Sequence, residues 1–265
     1  MKRDFEKSKV EAARSVMFEL MQLLKDYHNH IVLVGGSVPW VMIQDGEEPH
    51  VGTTDVDLAI DQETVHGPNL AKIGVLLVKN QYKQSQDKAF IFHRIVEKDG
   101  KSYKVQVDLL TGGDSTSKDE LVQAVHGCEL AFDEPRAIQT NGLFPDGHVG
   151  IVNFQVASLV PFISMKAIAF ADRLEPKDAY DIYYCVKYYK SGLQLLAHEF
   201  QKFMVNPRVR EGVDRLRENF SSTDAKGPRA VAEFLGEYRN EEKRAQVVRD
   251  AFERINGVIQ QIPRT

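Results

Sequence analysis

The feature that most constrains the fold is IVLVGGSVPW, Ile31 to Trp40, in which a short apolar run stops at two glycines. A run this short and rich in β-branched residues predicts a buried strand. Gly35 and Gly36 permit a sharp turn and a close approach of the backbone to a ligand. Ser37 is a typical N-cap, so residues 37–44 are predicted to form a helix. The N–H groups that open this helix, with the Ser37 hydroxyl, would seat a phosphate group.

A second strand is predicted at DVDLAI, residues 55–60. Because side chains alternate along a strand, Asp55 and Asp57 share one face, and the apolar residues between and after them share the other. Two carboxylates this close repel each other unless a cation lies between them. Mg²⁺, or Mn²⁺ in its place, is the expected cation, because hard oxygen ligands suit it and it leaves coordination positions for substrate phosphates.

A third acid fits the same geometry. The segment YKVQVDLL follows the Asp99-Gly100 pair, a strong hairpin signal, and is predicted to be a strand. Its apolar residues alternate with Asp108, so this carboxylate lies on the opposite face from them. If this strand pairs beside residues 55–60, Asp108 meets the other two acids. Three carboxylates on neighbouring strands can hold two metal ions, the arrangement used for in-line phosphoryl displacement.

The rest of the chain predicts an α+β fold, with a small mixed sheet and flanking helices followed by a helical domain. Helical spacing is found at residues 4–27 and 67–80 and repeatedly after about residue 153. Residues 111–150 are rich in Gly, Asp, Ser and Thr, and are predicted to be loop with short elements. The expected domains are 1–150, an α/β domain, and 151–265, a helical domain.

Composition narrows the function classes. The net charge of −4 excludes a chain that binds nucleic acid by its overall charge. Cys128 and Cys185 form no paired CxxC, which predicts two reduced thiols and a cytoplasmic protein. The polar start predicts no signal peptide, and no apolar run approaches the ~20 residues of a membrane span. We therefore expect no membrane association.

The three motifs VGGSVPW, TTDVDLAI and VQVDLL together resemble the nucleotidyltransferase superfamily with the polymerase-β-like fold. The resemblance covers roughly residues 30–110, where that superfamily has a glycine turn, a DxD strand and a third acid. It implies that Gly35, Gly36, Ser37 and Thr54 bind the nucleotide. It also implies that Asp55, Asp57 and Asp108 hold the metal and are catalytic. Taken singly, the glycine turn is more often only a turn, and each acid is more often a surface residue.

The second half resembles AbiEii-type nucleotidyltransferase toxins of bacterial abortive-infection and toxin–antitoxin systems. The resemblance lies in Lys166, Arg173, Lys177-Asp178 and Asp181. It implies that the helical domain completes the nucleotide cleft, and that Lys166 is catalytic and contacts the nucleotide triphosphate. Asp178, a predicted catalytic residue, and Asp181, a predicted nucleotide-binding residue, either orient this lysine or activate the attacking hydroxyl. From the residues alone, Lys166 could equally extend its charge to the surface, and the two acids could be ordinary helix surface charges.

The expected activity is transfer of a nucleoside monophosphate from an NTP to an acceptor hydroxyl, with release of pyrophosphate. From the toxin resemblance, the acceptor is an RNA end, such as that of a tRNA, or a protein side chain. A separate antitoxin protein would then neutralise the chain. Two alternatives stay open: an antibiotic-modifying enzyme of the aminoglycoside type, and a catalytically idle nucleotide sensor.

Overall fold

A computed structural model describes residues 6–44, 46–113, 119–236 and 240–263, and its main feature is one mixed β-sheet. Eight described strands form the sheet: β1 (Ile31–Val34), β2 (Asp55–Ile60), β3 (Lys83–Gln84), β4 (Ile91–Lys98), β5 (Lys101–Gly112), β6 (Gln123–Val125), β7 (Arg136–Leu143) and β8 (Val149–Val156). Their order is β3-β4-β5-β2-β1-β8-β7, with β6 beside the end of β5. The β1–β8, β2–β5 and β5–β6 pairs are parallel, and the other pairs are antiparallel.

Nine α-helices occur among the described residues: α1 (Lys7–Leu23), α2 (Val38–Met42), α3 (Pro68–Lys79), α4 (Leu159–Arg173), α5 (Pro176–Lys187), α6 (Gly192–Phe203), α7 (Pro207–Asn219), α8 (Lys226–Leu235) and α9 (Glu241–Ile259). Proline opens α3, α5 and α7, where its missing N–H leaves no hydrogen bond unmade. Strands and helices together confirm the predicted mixed α/β class. None of the described helices has the length and apolar character needed to cross a membrane.

The chain divides into two compact units. The sheet unit consists of Phe5–Val41 and Gly52–Ser158, whereas the second unit contains Met42–Val51 and Leu159–Thr265. The boundary predicted after residue 150 lies within β8, a strand of the sheet unit.

Helix α1 packs against one face of the sheet because its buried side chains form a continuous apolar stripe. Glu19 of α1 accepts hydrogen bonds from Arg94 Nε at 3.0 Å and Nη2 at 3.1 Å. Arg94 is paired with Val105 of β5, so the helix covers the face that carries the apolar side chains of β5. The polar residues of β2 and β5 therefore lie on the opposite face.

Two predictions of secondary structure need correction. The helix predicted at 37–44 is shorter: a 3₁₀ turn, Gly35–Ser37, comes first, and α2 follows with only five residues. The region 111–150 contains strands β6 and β7 and the start of β8, where loop with short elements was predicted. Strand β7 is at the edge of the sheet and mostly exposed, so its polar sequence gives no apolar alternation. Residues 114–118 lie outside the described residues, as do residues 4–5 of the helix predicted at 4–27.

Candidate active site

Two of the predicted site acids face each other across neighbouring strands. Asp57 of β2 is paired with Asp108 of β5, and Asp55 is paired with Gln106. Because paired residues on parallel strands point to the same side, all four side chains share one face of the sheet. Each is half-buried, whereas the residues that alternate with them are buried. The sequence prediction that the three acids meet requires these two strands to pair, and they do.

The glycine turn is in contact with one of these acids. Gly35 has φ +67°, in the left-handed region that favours glycine. A Cβ atom at this position would lie 1.8 Å from Asp57 Oδ2, because Val34, the residue before it, is paired with Asp57. Only glycine therefore lets the backbone of the turn approach this carboxylate. Gly36 and Ser37 of the same turn are buried.

Asp55 is held by a threonine from the segment before β2. The Thr53 hydroxyl donates a hydrogen bond to Asp55 Oδ1, and Thr53 is only 7% exposed. Thr54, the residue assigned to nucleotide binding from the sequence, is half-buried. Sequence reasoning missed the contact made by Thr53, since the choice between neighbouring threonines depends on how the chain enters the strand.

Asp108 is held by its neighbour on the same face. Gln106 Nε2 donates to both carboxylate oxygens of Asp108, at 2.9 and 3.0 Å. Burial raises the pKa of Asp108 above its ordinary value, and the charge of Asp55 raises it further. The Gln106 hydrogen bond and the charge of Lys88 oppose this rise without overcoming it. The negative charge on Asp108 is therefore incompletely compensated within the protein.

The donor chemistry of these acids suits a hard divalent cation, because all three offer carboxylate oxygens from adjacent strands. The described residues contain no group of three or more His, Cys, Asp or Glu side chains already arranged to hold a metal ion. Thr53 and Gln106 instead engage Asp55 and Asp108. The backbone register thus fits a metal site, and the free lone pairs of these carboxylate oxygens could bind an ion while Thr53 and Gln106 keep the acids oriented.

The predicted site residues of the second unit form a buried ion-pair cluster. Lys166 Nζ lies 2.8 Å from Asp178 Oδ1 and 2.9 Å from Asp181 Oδ2. Arg173 donates to both oxygens of Asp178, at 2.7 and 2.9 Å, and Lys177 donates to both oxygens of Asp181, at 3.1 Å. Each acid therefore has two cationic partners.

Burial and charge act in opposite directions on this cluster. Burial lowers the pKa of Lys166, which is 8% exposed, but the charges of Asp181 and Asp178 outweigh it, so that its pKa is raised. Burial likewise raises the pKa of each acid, and the cations outweigh it, so that both acids have lowered pKa values. All three groups are therefore charged at neutral pH. Contact of Lys166 with a triphosphate stays a prediction.

His50 is a member of this cluster that sequence reasoning missed. Its Nε2 lies 2.9 Å from Asp181 Oδ1, and both side chains are fully buried. The imidazole also stacks on Tyr180, with ring centres 5.2 Å apart. Burial lowers the pKa of His50 although Asp181 favours the charged form. The chain has 8 histidines, and this contact spans 131 residues of sequence, so that no local pattern indicates it.

The structure thus gathers the predicted residues into two groups. Gly35, Asp55, Asp57 and Asp108 lie together in the sheet unit, and Lys166, Asp178 and Asp181 lie together in the second unit. Comparison of the chain with protein-family models, with curated proteins and with solved structures found no match.

Proposed function

We propose that the chain is a metal-dependent nucleotidyltransferase with a polymerase-β-like fold. The observation that carries the proposal is the pairing of Asp57 with Asp108 on adjacent parallel strands, with Asp55 on the same face. The contact of Gly35 with Asp57 supports it, because a turn that can accept phosphate then lies directly beside the acids. Burial and the charge of Asp55 disfavour the ionised form of Asp108, and a cation bound beside it would offset this cost.

The proposed reaction is attack of an acceptor hydroxyl on the α-phosphorus of an NTP. The new bond joins the acceptor oxygen to this phosphorus, the bond to the bridging oxygen of the β-phosphate breaks, and pyrophosphate leaves with its electron pair. Mg²⁺ or Mn²⁺ held by Asp55, Asp57 and Asp108 would neutralise the triphosphate and lower the pKa of the acceptor hydroxyl. Thr53 and Gln106 orient two of these acids, and Gly35 lets the backbone of the turn lie close to the third.

We further propose an RNA end as the acceptor and a toxin role in a bacterial defence or toxin–antitoxin system, with a separate antitoxin as partner. The support for this part is the resemblance carried by Lys166, Arg173, Asp178 and Asp181. The contacts among these residues are compatible with it, since a buried lysine fixed by two acids has a defined position.

The proposal is tested by incubating the protein with each α-³²P-labelled NTP, Mg²⁺ and total RNA. We expect labelled RNA and release of pyrophosphate in equal amounts, and loss of both in Asp57→Ala. Asp26→Asn, which removes an exposed acid from a 3₁₀ turn of the sheet unit, is the matched control and should stay active.

The same assay separates the alternatives. Labelling of an aminoglycoside without labelling of RNA would move the acceptor to a small hydroxylated drug and leave the chemistry intact. Tight NTP binding without pyrophosphate release, over a broad panel of acceptors, would favour a nucleotide sensor. Activity that persists in Asp55→Ala and Asp57→Ala would contradict the assignment of the site.

A further inference from the structure

Arg14 of α1 is fixed in an unusual position. Its guanidinium carbon lies 3.8 Å from the centre of the Trp40 ring, in a cation–π contact. Phe18, one turn further along α1, meets the same ring edge-on, with ring centres 6.2 Å apart. Arg14 and Trp40 are both half-buried. The contact with Trp40 therefore positions the guanidinium before any ligand arrives.

The guanidinium of Arg14 has no hydrogen-bond acceptor and no ion pair among the residues that the structure describes. Glu11, an acid of the same helix, is paired with Lys98 at 2.9 Å and affects Arg14 only through its charge. Burial lowers the pKa of Arg14, so the charged form has lost hydration that Glu11 does not replace. A guanidinium carries five N–H donors, and leaving them unpaired in a partly buried site is costly. An anion would supply the missing partner.

The surroundings of Arg14 connect it to the candidate active site. Arg14 and Trp40 line a pocket, here called the Arg14 pocket, together with Val10, Ser37, Gly52 and Thr53. Its volume of about 10 Å³ has room for one water-sized atom. Ser37 belongs to the turn whose Gly35 contacts Asp57, and Thr53 donates to Asp55. The pocket thus adjoins both the glycine turn and the segment that leads into the acids.

We propose that the Arg14 pocket takes one oxygen of a phosphate group of the nucleoside triphosphate, with the Arg14 guanidinium as its cation. The planar fork of N–H donors matches phosphate oxygens, and none of these donors is engaged by a described residue. Arg14 would supply positive charge from the protein itself, beside the glycine turn. That the phosphate belongs to a nucleoside triphosphate rests on the proposed function, whereas the anion site itself rests on the geometry of Arg14 alone.

Trp40 makes the test direct, because it is the only tryptophan in the chain. The full-length protein is titrated with inorganic triphosphate and with ATP at constant ionic strength, and Trp40 fluorescence is recorded. Equilibrium dialysis with labelled ATP provides affinities that do not depend on the fluorophore. We expect a saturable change in Trp40 emission with both ligands, because the phosphate moves or polarises the stacked guanidinium.

Arg14→Gln should weaken the binding of both ligands about tenfold to a hundredfold, the range expected for lost hydrogen bonds to a charged group. Arg14→Lys keeps the charge but loses the planar fork, so its affinity should be intermediate. Arg136→Gln, the same change at an exposed position at the start of β7, should bind as the wild type does.

The outcomes separate this inference from the proposed function. If Arg14→Gln binds inorganic triphosphate as tightly as the wild type, Arg14 is a packing residue and the inference is wrong, even if RNA labelling continues. If the wild-type protein does not bind triphosphate, the inference is also wrong. If triphosphate binds in an Arg14-dependent manner but no nucleotide is transferred to any acceptor, the pocket stands and the proposed function fails.

Discussion

Two pairs of aspartates occupy opposite electrostatic situations in this molecule. Asp178 and Asp181 on α5 each contact two cationic side chains within 3.1 Å, and their pKa values are lowered. Asp57 and Asp108 on the sheet are paired with each other by register, and the pKa of Asp108 is raised. The first pair is compensated by the protein, whereas at Asp108 burial and the charge of Asp55 outweigh the contacts that favour the ionised form.

This difference concerns how each group depends on its partners. A buried ion cluster is held by its own partners, so removal of one member leaves another charge buried with fewer partners. At Asp108, burial and the charge of Asp55 instead cost stability, and a cation bound beside it would restore that stability. The comparison therefore predicts that the two pairs respond differently to the same type of substitution.

The largest expected effect is on activity. Asp57→Ala should reduce nucleotide transfer on the order of 1,000-fold, because it removes a carboxylate that would hold the metal ion neutralising the reacting phosphates. The free energy of unfolding in urea should fall less than in Asp181→Asn, because Asp57 is half-buried whereas Asp181 is fully buried. A large drop in stability with normal activity would reverse the assignment of this pair.

The next effect is on stability. Asp181→Asn should lower the free energy of unfolding by about 3–5 kcal/mol, because Lys166 then stays buried with one carboxylate fewer. Urea denaturation followed by circular dichroism measures this change. Asp172→Asn, at an exposed position on α4, is the matched control and should change stability little. A small effect at Asp181 would show that the cluster is not held as a compensated unit.

Gly35→Ala should sharpen the comparison at the turn. The new methyl group would overlap Asp57 Oδ2, and the positive φ adds strain, so we expect about 1–3 kcal/mol of destabilisation together with loss of activity. Gly100→Ala provides the control, because Gly100 has φ +73° and no atom lies within 4 Å of the position that a Cβ would take there. Equal losses of activity in the two variants would mean that the approach of Gly35 to Asp57 is unimportant.

The smallest effect is the pH dependence of stability, and its sign differs between the pairs. Between pH 3.8, the ordinary aspartate pKa, and the raised pKa of Asp108, this carboxyl is protonated in the folded protein but ionised in the unfolded chain. The stability that Asp108 contributes therefore falls as pH rises through this window. For Asp178, the unfolded chain binds the proton below 3.8, so stability is lost as pH falls through the lowered pKa.

Urea titrations of the wild type, Asp108→Asn and Asp178→Asn across this pH range measure both contributions as differences. The difference between the wild type and Asp108→Asn should decline with rising pH, whereas that for Asp178→Asn should increase. The same sign for both would contradict the contrast between the two pairs of acids.

The local features of the site follow from short stretches of the amino-acid sequence. Alternation in residues 55–60 and around Asp108 predicted two strands with acids on one face, and the register of β2 and β5 brings those acids together. The Gly35-Gly36 pair predicted a turn that approaches a ligand, and the approach observed is to Asp57. These predictions depend on the two-residue alternation of strand side chains and on the absence of a side chain in glycine. Both are properties of short stretches of sequence.

The remaining partners depend on how distant segments pack together. Strand β7 lies at a sheet edge and is mostly exposed, so its polar composition suggested a loop. Its place in the sheet is set by pairing with β8. His50 and Asp181 meet across 131 residues, and Arg14 reaches Trp40 from another helix. Such contacts depend on how whole elements pack, because a side chain acquires its burial, its pKa shift and its partners only after distant segments have come together.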